Sequence, residues 1–169
     1  MDSRAQWLFP QIRVTCSTTI TKLRFTGETL QGSNRKIPEL QIWRRESPTS
    51  TRYSKIHYTQ GNAVVIVERA NLYAMSVSWP VQPGDVFGVY QPRRSRYRFV
   101  VQETGGEELS YMLRNRQRAP NKFDISNYDS SGHPYPLVSV EAGMCMHNNC
   151  SYSDNDFNSF NRHPGNIHR

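Results

Sequence analysis

Two runs of alternating arginines are the residues in this 169-residue chain whose type and spacing best suit binding chemistry. In an extended strand successive side chains point to opposite faces, so arginines two positions apart share one face. A guanidinium group binds sulfate, phosphate or carboxylate through two parallel hydrogen bonds. The spacing therefore predicts a polyanion-binding surface built on two strands. The six candidate residues are Arg94, Arg96 and Arg98 in the first run and Arg114, Arg116 and Arg118 in the second.

The apolar residues between these arginines predict how the two runs pair. A hairpin that points both apolar faces into one core places Val101 opposite Tyr111 and Phe99 opposite Leu113, with residues 104–108 as the loop. The same register places Arg94 opposite Arg118, Arg96 opposite Arg116 and Arg98 opposite Arg114. Like charges directly opposite each other are destabilising, which favours an anionic partner, a sulfated glycan if the protein is extracellular. The alternative is a solvated edge face whose charges prevent aggregation between strand edges.

Three cysteines leave one thiol over if the other two bond. The spacing of Cys145 and Cys150 favours a small-loop disulfide, with Cys16 left for a partner on an upstream segment. The rival pairing joins Cys16 to one of the other two cysteines. Cys145 and Cys150 could also form half of a zinc site with His147, His163 or His168. No second closely spaced cysteine pair is present, however, so no metal or cofactor is expected.

Catalysis needs a nucleophile with a base, a pair of carboxylates or a phosphate-binding loop, and the sequence offers none at a defensible spacing. The glutamates between residues 103 and 108 fall at the predicted hairpin tip, where carboxylates are solvated. His57 lies in an alternating strand and is expected to be structural. Asp124 and Asp129 lack the regular acidic spacing of a calcium loop, so calcium is a minor alternative. The protein is predicted not to be an enzyme.

Turn residues and short apolar runs define the elements that must position these side chains. The segment Pro83-Gly84-Asp85 predicts a tight turn in which Gly84 takes a positive φ and Asp85 caps backbone groups. The run that follows predicts a buried strand in which Gly88 marks a bulge or the close approach of a ring. About nine or ten such runs, without helical periodicity, predict one all-β antiparallel sandwich of jelly-roll type. The domain is predicted to span residues 7–142, followed by a polar, cysteine-bearing and flexible tail at 143–169.

The charge balance predicts the class of partner. The formal net charge of +7 and the pI near 9.6 imply attraction to polyanions, whether nucleic acid, sulfated glycan or anionic lipid. No apolar run is long enough for a membrane-spanning helix. The first residues carry no apolar signal segment, which indicates either a cytoplasmic protein or a truncated amino terminus.

Several short motifs occur in a fixed order between Trp7 and Glu141. They are Trp7-Leu8-Phe9-Pro10, Cys16, Thr21-Lys22-Leu23, Pro38-Glu39-Leu40-Gln41-Ile42-Trp43-Arg44, Pro83-Gly84-Asp85-Val86-Phe87-Gly88-Val89-Tyr90-Gln91-Pro92, Phe123-Asp124 and Tyr135-Pro136-Leu137-Val138-Ser139-Val140-Glu141. This combination resembles a recurrent extracellular β-sandwich module of predicted surface and secreted proteins in basal metazoans such as sponges. The resemblance implies extracellular display and a role in recognition or adhesion, with no enzymatic activity and no agreed ligand. Relatives carry a signal segment and upstream cysteines, so the resemblance also implies that the amino terminus is truncated here.

These features together predict a non-catalytic extracellular module for recognition or adhesion. Its expected partner is an anionic, sulfated glycan or a cell-surface protein, bound through the arginine-rich strand face. The alternative is an intracellular basic module that binds nucleic acid or another polyanion. A disulfide identified by mass spectrometry, or a signal segment encoded upstream, would favour the extracellular interpretation.

Overall fold

The computed structural model describes residues 5–30, 36–60, 63–93, 95–102, 111–114, 119–127 and 135–144. These residues form thirteen β-strands and a short 3-10 turn at Ile125–Asn127. Within these ranges no helix is long and apolar enough to cross a membrane. The strands are β1 (Ala5–Arg13), β2 (Thr18–Thr29), β3 (Glu39–Arg45), β4 (Arg52–Tyr58), β5 (Ile66–Arg69), β6 (Leu72–Val81), β7 (Val86–Gln91), β8 (Tyr97–Phe99), β9 (Val101–Gln102), β10 (Tyr111–Arg114), β11 (Lys122–Asp124), β12 (Tyr135–Pro136) and β13 (Val138–Ala142).

Two antiparallel sheets make up the fold. The first has six strands in the order β10-β1-β7-β3-β4-β11, and one of the two sheets curls into a half-barrel. The second has the order β13-β2-β6-β5, with β8 added on β2. Strands β9 and β12 pair separately as a two-stranded ribbon. The predicted all-β antiparallel sandwich is confirmed.

Large rings fill the space between the two sheets. The ring of Phe25 on β2 is fully buried and lies 5.3 Å from the ring of Tyr73 on β6, centroid to centroid. It also meets Phe99 on β8 edge-on at 5.5 Å, and Phe99 in turn meets Trp7 on β1 at 6.3 Å. Offset and edge-to-face contacts of this kind add to the stabilisation from apolar burial. Aromatic contacts therefore join the two sheets and fix β8 against them.

A second apolar layer lies on the other face of the six-stranded sheet. Leu8, Trp43, Tyr53, Val86 and Phe123 are buried in it, and Trp43 meets the ring of Phe123 edge-on at 6.2 Å. All six residues of β7 are consequently buried, since both faces of this central strand are covered. A continuous apolar run without alternation is the expected sequence of such a strand.

At Gly88 on β7 a side chain of this second layer lies close to the backbone. A Cβ atom at this position would lie 2.5 Å from Nε1 of Trp43 and 3.0 Å from the carbonyl oxygen of Trp7. Real Cβ contacts do not come so close, so the site requires glycine. The predicted close approach of a ring at Gly88 is confirmed.

The turn between β6 and β7 is held by the carboxylate of Asp85, which is fully buried. Gly84 has φ of 89°, and Oδ2 of Asp85 accepts the backbone N–H of Gln82 at 2.9 Å, as predicted for this turn. The carboxylate also accepts two hydrogen bonds from Arg44, at 2.7 Å from Nε and 2.9 Å from a terminal nitrogen. This bidentate ion pair ties the turn to β3 and was not predicted from the sequence.

Candidate polyanion-binding surface

The two arginine runs do not form the predicted hairpin. β8 pairs with β2, where Arg98 lies opposite Glu28 and Phe99 opposite Gly27. β10 pairs with β1 at the edge of the six-stranded sheet, where Tyr111 lies opposite Leu8. The pairing of Val101 with Tyr111 and of Phe99 with Leu113 is therefore wrong. β8 pairs with Gly27–Thr29, which extend beyond the part of β2 that pairs with β13, and β10 pairs with the side of β1 that does not face β7.

The assignment of faces within the first run is nevertheless correct. Tyr97 and Phe99 are buried at 6% and 5% exposure, whereas Arg96 and Arg98 are exposed. Strand alternation alone dictates this result. It fixes the direction of each side chain but carries no information on the neighbouring strand.

The six predicted arginines are not gathered on one described face. Arg98 forms an ion pair with Glu28 on β2, and Arg96 lies over the ring of Tyr97, 5.6 Å from its centroid. The backbone of Arg114 lies opposite Ala5 on β1, in the other sheet. Arg94, Arg116 and Arg118 lie outside the described residues.

The structure instead brings a lysine from a distant part of the sequence to the first run. The carbonyl oxygen of Lys36 accepts the backbone N–H of Arg96 at 2.7 Å and the hydroxyl of Ser95 at 3.1 Å. The side chains of Lys36, Arg93, Arg96 and Arg98 are all exposed. We call these four residues the basic corner. Sequence reasoning missed Lys36 because any residue can supply the carbonyl oxygen that joins the two segments.

Two buried polar side chains hold the basic corner in place. Ser95, which is 3% exposed, bonds the Lys36 carbonyl and accepts the N–H of Tyr97 at 3.3 Å. Gln91 donates to the carbonyl oxygen of Tyr97 at 3.0 Å and accepts the N–H of Phe99 at 3.1 Å. These hydrogen bonds give the buried polar groups their partners and fix the segment between β7 and β8 against the backbone of β8. The cations of the corner are thus carried on ordered backbone.

The described carboxylates are all neutralised by nearby cations. The ion pairs are Glu28–Arg98, Glu39–Lys55, Glu46–Lys122, Asp85–Arg44, Asp124–Arg52, and Glu68 and Glu141 each with Lys22 and Arg24. Lys36 and Arg96, in contrast, contact no carboxylate within the described ranges. The surplus positive charge of the described chain therefore includes Lys36 and Arg96 of the basic corner.

The charge network on the outer face of the second sheet is a structural feature. Arg24 on β2 donates to Glu68 at 2.8 Å and to Glu141 on β13 at 2.7 Å. The hydrogen bonds to Glu68 and Glu141 raise the pKa of Arg24, and the bond from Arg24 lowers the pKa of Glu68. Ala74 on β6 lies opposite Arg24, so its small side chain lets the guanidinium reach over the intervening strand. Among the described residues, the two cations Lys22 and Arg24 and these two carboxylates neutralise one another.

Other positions singled out from the sequence have structural roles or lie outside the described residues. The imidazole of His57 stacks on Trp79 with ring centroids 5.6 Å apart, and its Nε2 lies 3.0 Å from the carbonyl oxygen of Pro80. Cys16 is buried at 7% exposure. The candidate disulfide residues Cys145 and Cys150 lie outside the described residues. No group of three metal-ligating side chains is found in the part of the chain that the structure describes.

Both carboxylate oxygens of Asp124 accept hydrogen bonds from neighbouring residues and are not placed to bind calcium. Its Oδ1 accepts the hydroxyls of Thr51 and Ser126 at 2.7 Å each and the N–H of Ser126 at 3.1 Å, and its Oδ2 accepts Nε of Arg52 at 3.2 Å. The hydroxyl of Ser126, then that of Thr51, and further donors lower the pKa of Asp124 from 3.8 to about 2.

This lowered pKa predicts an acid-sensitive contribution to stability. Because the carboxylate is favoured in the folded state, Asp124 contributes fully above its ordinary pKa of 3.8, and the contribution is lost as the pH falls towards 2. Replacing Asp124 with asparagine should therefore flatten the loss of stability between these pH values. Urea denaturation of both proteins at a series of pH values measures the effect. Identical pH profiles for the two proteins would contradict the prediction; Glu46 and Glu68, whose pKa values are also lowered, account for the dependence that remains.

Comparison with known proteins identified no relative of this chain. The chain matches no protein-family model, no curated protein and no solved structure. Its fold and surface define it as an antiparallel β-sandwich with a basic corner. The resemblance to a sponge-type extracellular module stays a prediction.

Proposed function

We propose that this protein is a non-catalytic recognition module that binds a sulfated glycan through the basic corner. The observation that carries the proposal is the hydrogen bond from the backbone N–H of Arg96 to the carbonyl oxygen of Lys36, which joins two residues whose exposed side chains contact no carboxylate within the described ranges. Arginine offers a planar fork of donors to a sulfate group, and lysine offers a compact charge beside it. Arg93 and Arg98 on the same segment extend the cationic surface in the direction of the strand.

The order of the basic corner supports recognition rather than a diffuse attraction. Side chains on ordered backbone lose less conformational freedom on binding than those on a mobile loop. Here Gln91 and Ser95 fix the segment, and the ring of Tyr97 supports the guanidinium of Arg96. The net charge of +7 adds long-range attraction, which accelerates encounter with a polyanion.

The corner favours sulfate groups over single-stranded nucleic acid. Proteins that bind single strands stack the bases on exposed aromatic rings. The ring of Tyr97, which contacts Arg96 of the basic corner, is only 6% exposed and is covered by that guanidinium. A sulfated glycan needs cations alone, and such glycans occur at cell surfaces and in the matrix. We therefore extend the proposal to an extracellular role in recognition or adhesion, with intracellular nucleic-acid binding as the alternative.

Removing the two unneutralised cations should weaken glycan binding. We expect the double variant Lys36→Gln/Arg96→Gln to bind heparin roughly tenfold more weakly at physiological salt, because each lost contact contributes up to about 1 kcal/mol. The number of counterions released on binding, which sets how steeply the affinity falls with salt, should also decrease by about two. Isothermal titration against heparin at three salt concentrations measures both quantities.

A control variant that removes the same number of positive charges elsewhere separates the effect of the basic corner from that of net charge. Arg52→Gln/Lys122→Gln removes two exposed cations on β4 and β11, which belong to ion pairs with Asp124 and Glu46. If heparin affinity falls equally in both double variants, binding depends on net charge alone, and the basic corner is not a specific site. Tighter binding to a duplex or single-stranded DNA than to heparin would favour the intracellular alternative, and binding lost on desulfation of heparin would support the proposal.

A further inference from the structure

An unfilled cleft opens between the two sheets, away from the basic corner. It has a volume of about 380 Å³. Its inner walls are core side chains from both sheets, with Ile20 and Phe25 from β2, Ile42 from β3 and Phe87 from β7. Each of these four is at most 5% exposed, so the cleft reaches into the apolar interior of the sandwich. Ligand cavities in proteins have volumes of roughly 300–1,000 Å³, and this cleft lies at the lower end.

The mouth of the cleft is apolar as well. Ile12 and Val14, which flank Arg13 at the end of β1, line it together with Leu137, Val138 and Val140 at β13. All five are only half-buried, although each packs against the main core. Aliphatic side chains that ring a cavity and stay partly exposed are typical of a binding site for an apolar ligand.

Two arginines with exposed side chains stand at this apolar mouth. Arg13 and Arg69 both line the cleft. The Nε of Arg13 donates to the carbonyl oxygen of Pro10 at 2.9 Å, which leaves its terminal nitrogens for another acceptor. Neither arginine contacts a carboxylate within the described ranges. A third arginine in the lining, Arg24, is already satisfied by Glu68 and Glu141.

We propose that the cleft binds a single-chain anionic amphiphile, namely a free alkyl carboxylate of fatty-acid type. Its alkyl chain would lie between the sheets against Phe25 and Phe87, and its carboxylate would bond Arg13 or Arg69 at the mouth. The chemistry follows from the lining, because apolar walls bind hydrocarbon and guanidinium groups bind a carboxylate in a bidentate manner. This site is independent of the basic corner and of the glycan proposal.

Dodecanoate and its neutral analogue dodecanol test the two halves of the site separately. We expect the full chain to bind dodecanoate, and affinity across octanoate, decanoate and dodecanoate to rise by up to about fourfold per methylene group. The variant Arg13→Gln/Arg69→Gln should bind dodecanoate about tenfold more weakly, yet bind dodecanol as the wild type does. Titration calorimetry below the micellar concentration measures each affinity.

A variant that fills the mouth provides the second test. Val140→Phe should abolish binding of both dodecanoate and dodecanol, whereas Val64→Phe should change neither, because Val64 is 77% exposed and does not line the cleft. Thermal unfolding of every variant checks that it folds. Absence of binding by the full chain, affinity that does not depend on chain length, or unchanged dodecanoate binding in the arginine variant would each overturn the proposal.

Discussion

Replacing Gly88 with alanine should destabilise the protein by about 3 kcal/mol, at the upper end of what overpacking costs. The new methyl group would lie 2.5 Å from Nε1 and 2.8 Å from Cδ1 of Trp43. The indole cannot retreat, because it is fully buried, packs on Phe123 and donates Nε1–H to Oε1 of Gln41 at 2.9 Å. The backbone of β7 cannot retreat either, since it is paired with β1 and β3 on its two sides. Urea denaturation monitored by tryptophan fluorescence and circular dichroism measures the loss.

A double-mutant cycle identifies the clash as the cause. Phenylalanine at position 43 lacks the ring nitrogen that the added methyl group would strike. The double variant Gly88→Ala/Trp43→Phe should therefore lose at least about 1 kcal/mol less than the sum of the two single variants. Gly84→Ala serves as the matched control, because no atom lies within 4 Å of its Cβ position and only the positive φ opposes the substitution. That variant should lose about 1–2 kcal/mol. Additive energies in the cycle would show that the ring does not cause the effect.

Much of the fold could be predicted because the signals are local. The positive φ of Gly84 follows from its place in a Pro-Gly-Asp turn, and the need for glycine at position 88 follows from its place inside a buried strand. The burial of Tyr97 and Phe99 against the exposure of Arg96 and Arg98 follows from strand alternation. The sequence signal for each of these properties lies within a few positions, although the ring that approaches Gly88 belongs to Trp43 on a distant strand.

The candidate site could not be predicted because it depends on partners far apart in the chain. Alternation gives the face of a strand but not its neighbour, so the hairpin of β8 with β10 was as consistent with the pattern as the observed pairings. The contact between Lys36 and Arg96 uses a backbone carbonyl oxygen, which carries no side-chain signal. The pair of Arg44 with Asp85 has a charge signal, but many other arginines could have supplied the same partner.

Replacing Asp85 with alanine should destabilise the protein by about 3 kcal/mol, within the range for breaking a buried ion pair. The carboxylate is 1% exposed and accepts three hydrogen bonds, two from Arg44 and one from the N–H of Gln82. Arg44 is 39% exposed, so water can partly solvate its guanidinium after the change, which keeps the loss below the upper end of that range. The hydrogen bonds that Arg44 donates to the Asp85 carboxylate also raise the pKa of the guanidinium above its ordinary value.

The turn that Asp85 holds makes this loss larger than that of a surface carboxylate. Gly84 N–H donates to the carbonyl oxygen of Val14 at 2.9 Å, and Val14 N–H donates to that of Asp85 at 2.8 Å. Loosening the turn therefore also loosens the connection after β1. Asp124→Ala is the control, because that carboxylate also accepts several hydrogen bonds but belongs to an exposed network, and its loss should be clearly smaller. Equal losses for the two variants, or a loss below about 1 kcal/mol for Asp85→Ala, would contradict the role assigned to burial. A double-mutant cycle that combines Asp85→Ala with Arg44→Gln measures the pair itself. The carboxylate and the guanidinium should show a coupling free energy of about 1–3 kcal/mol, because either substitution alone already breaks the ion pair.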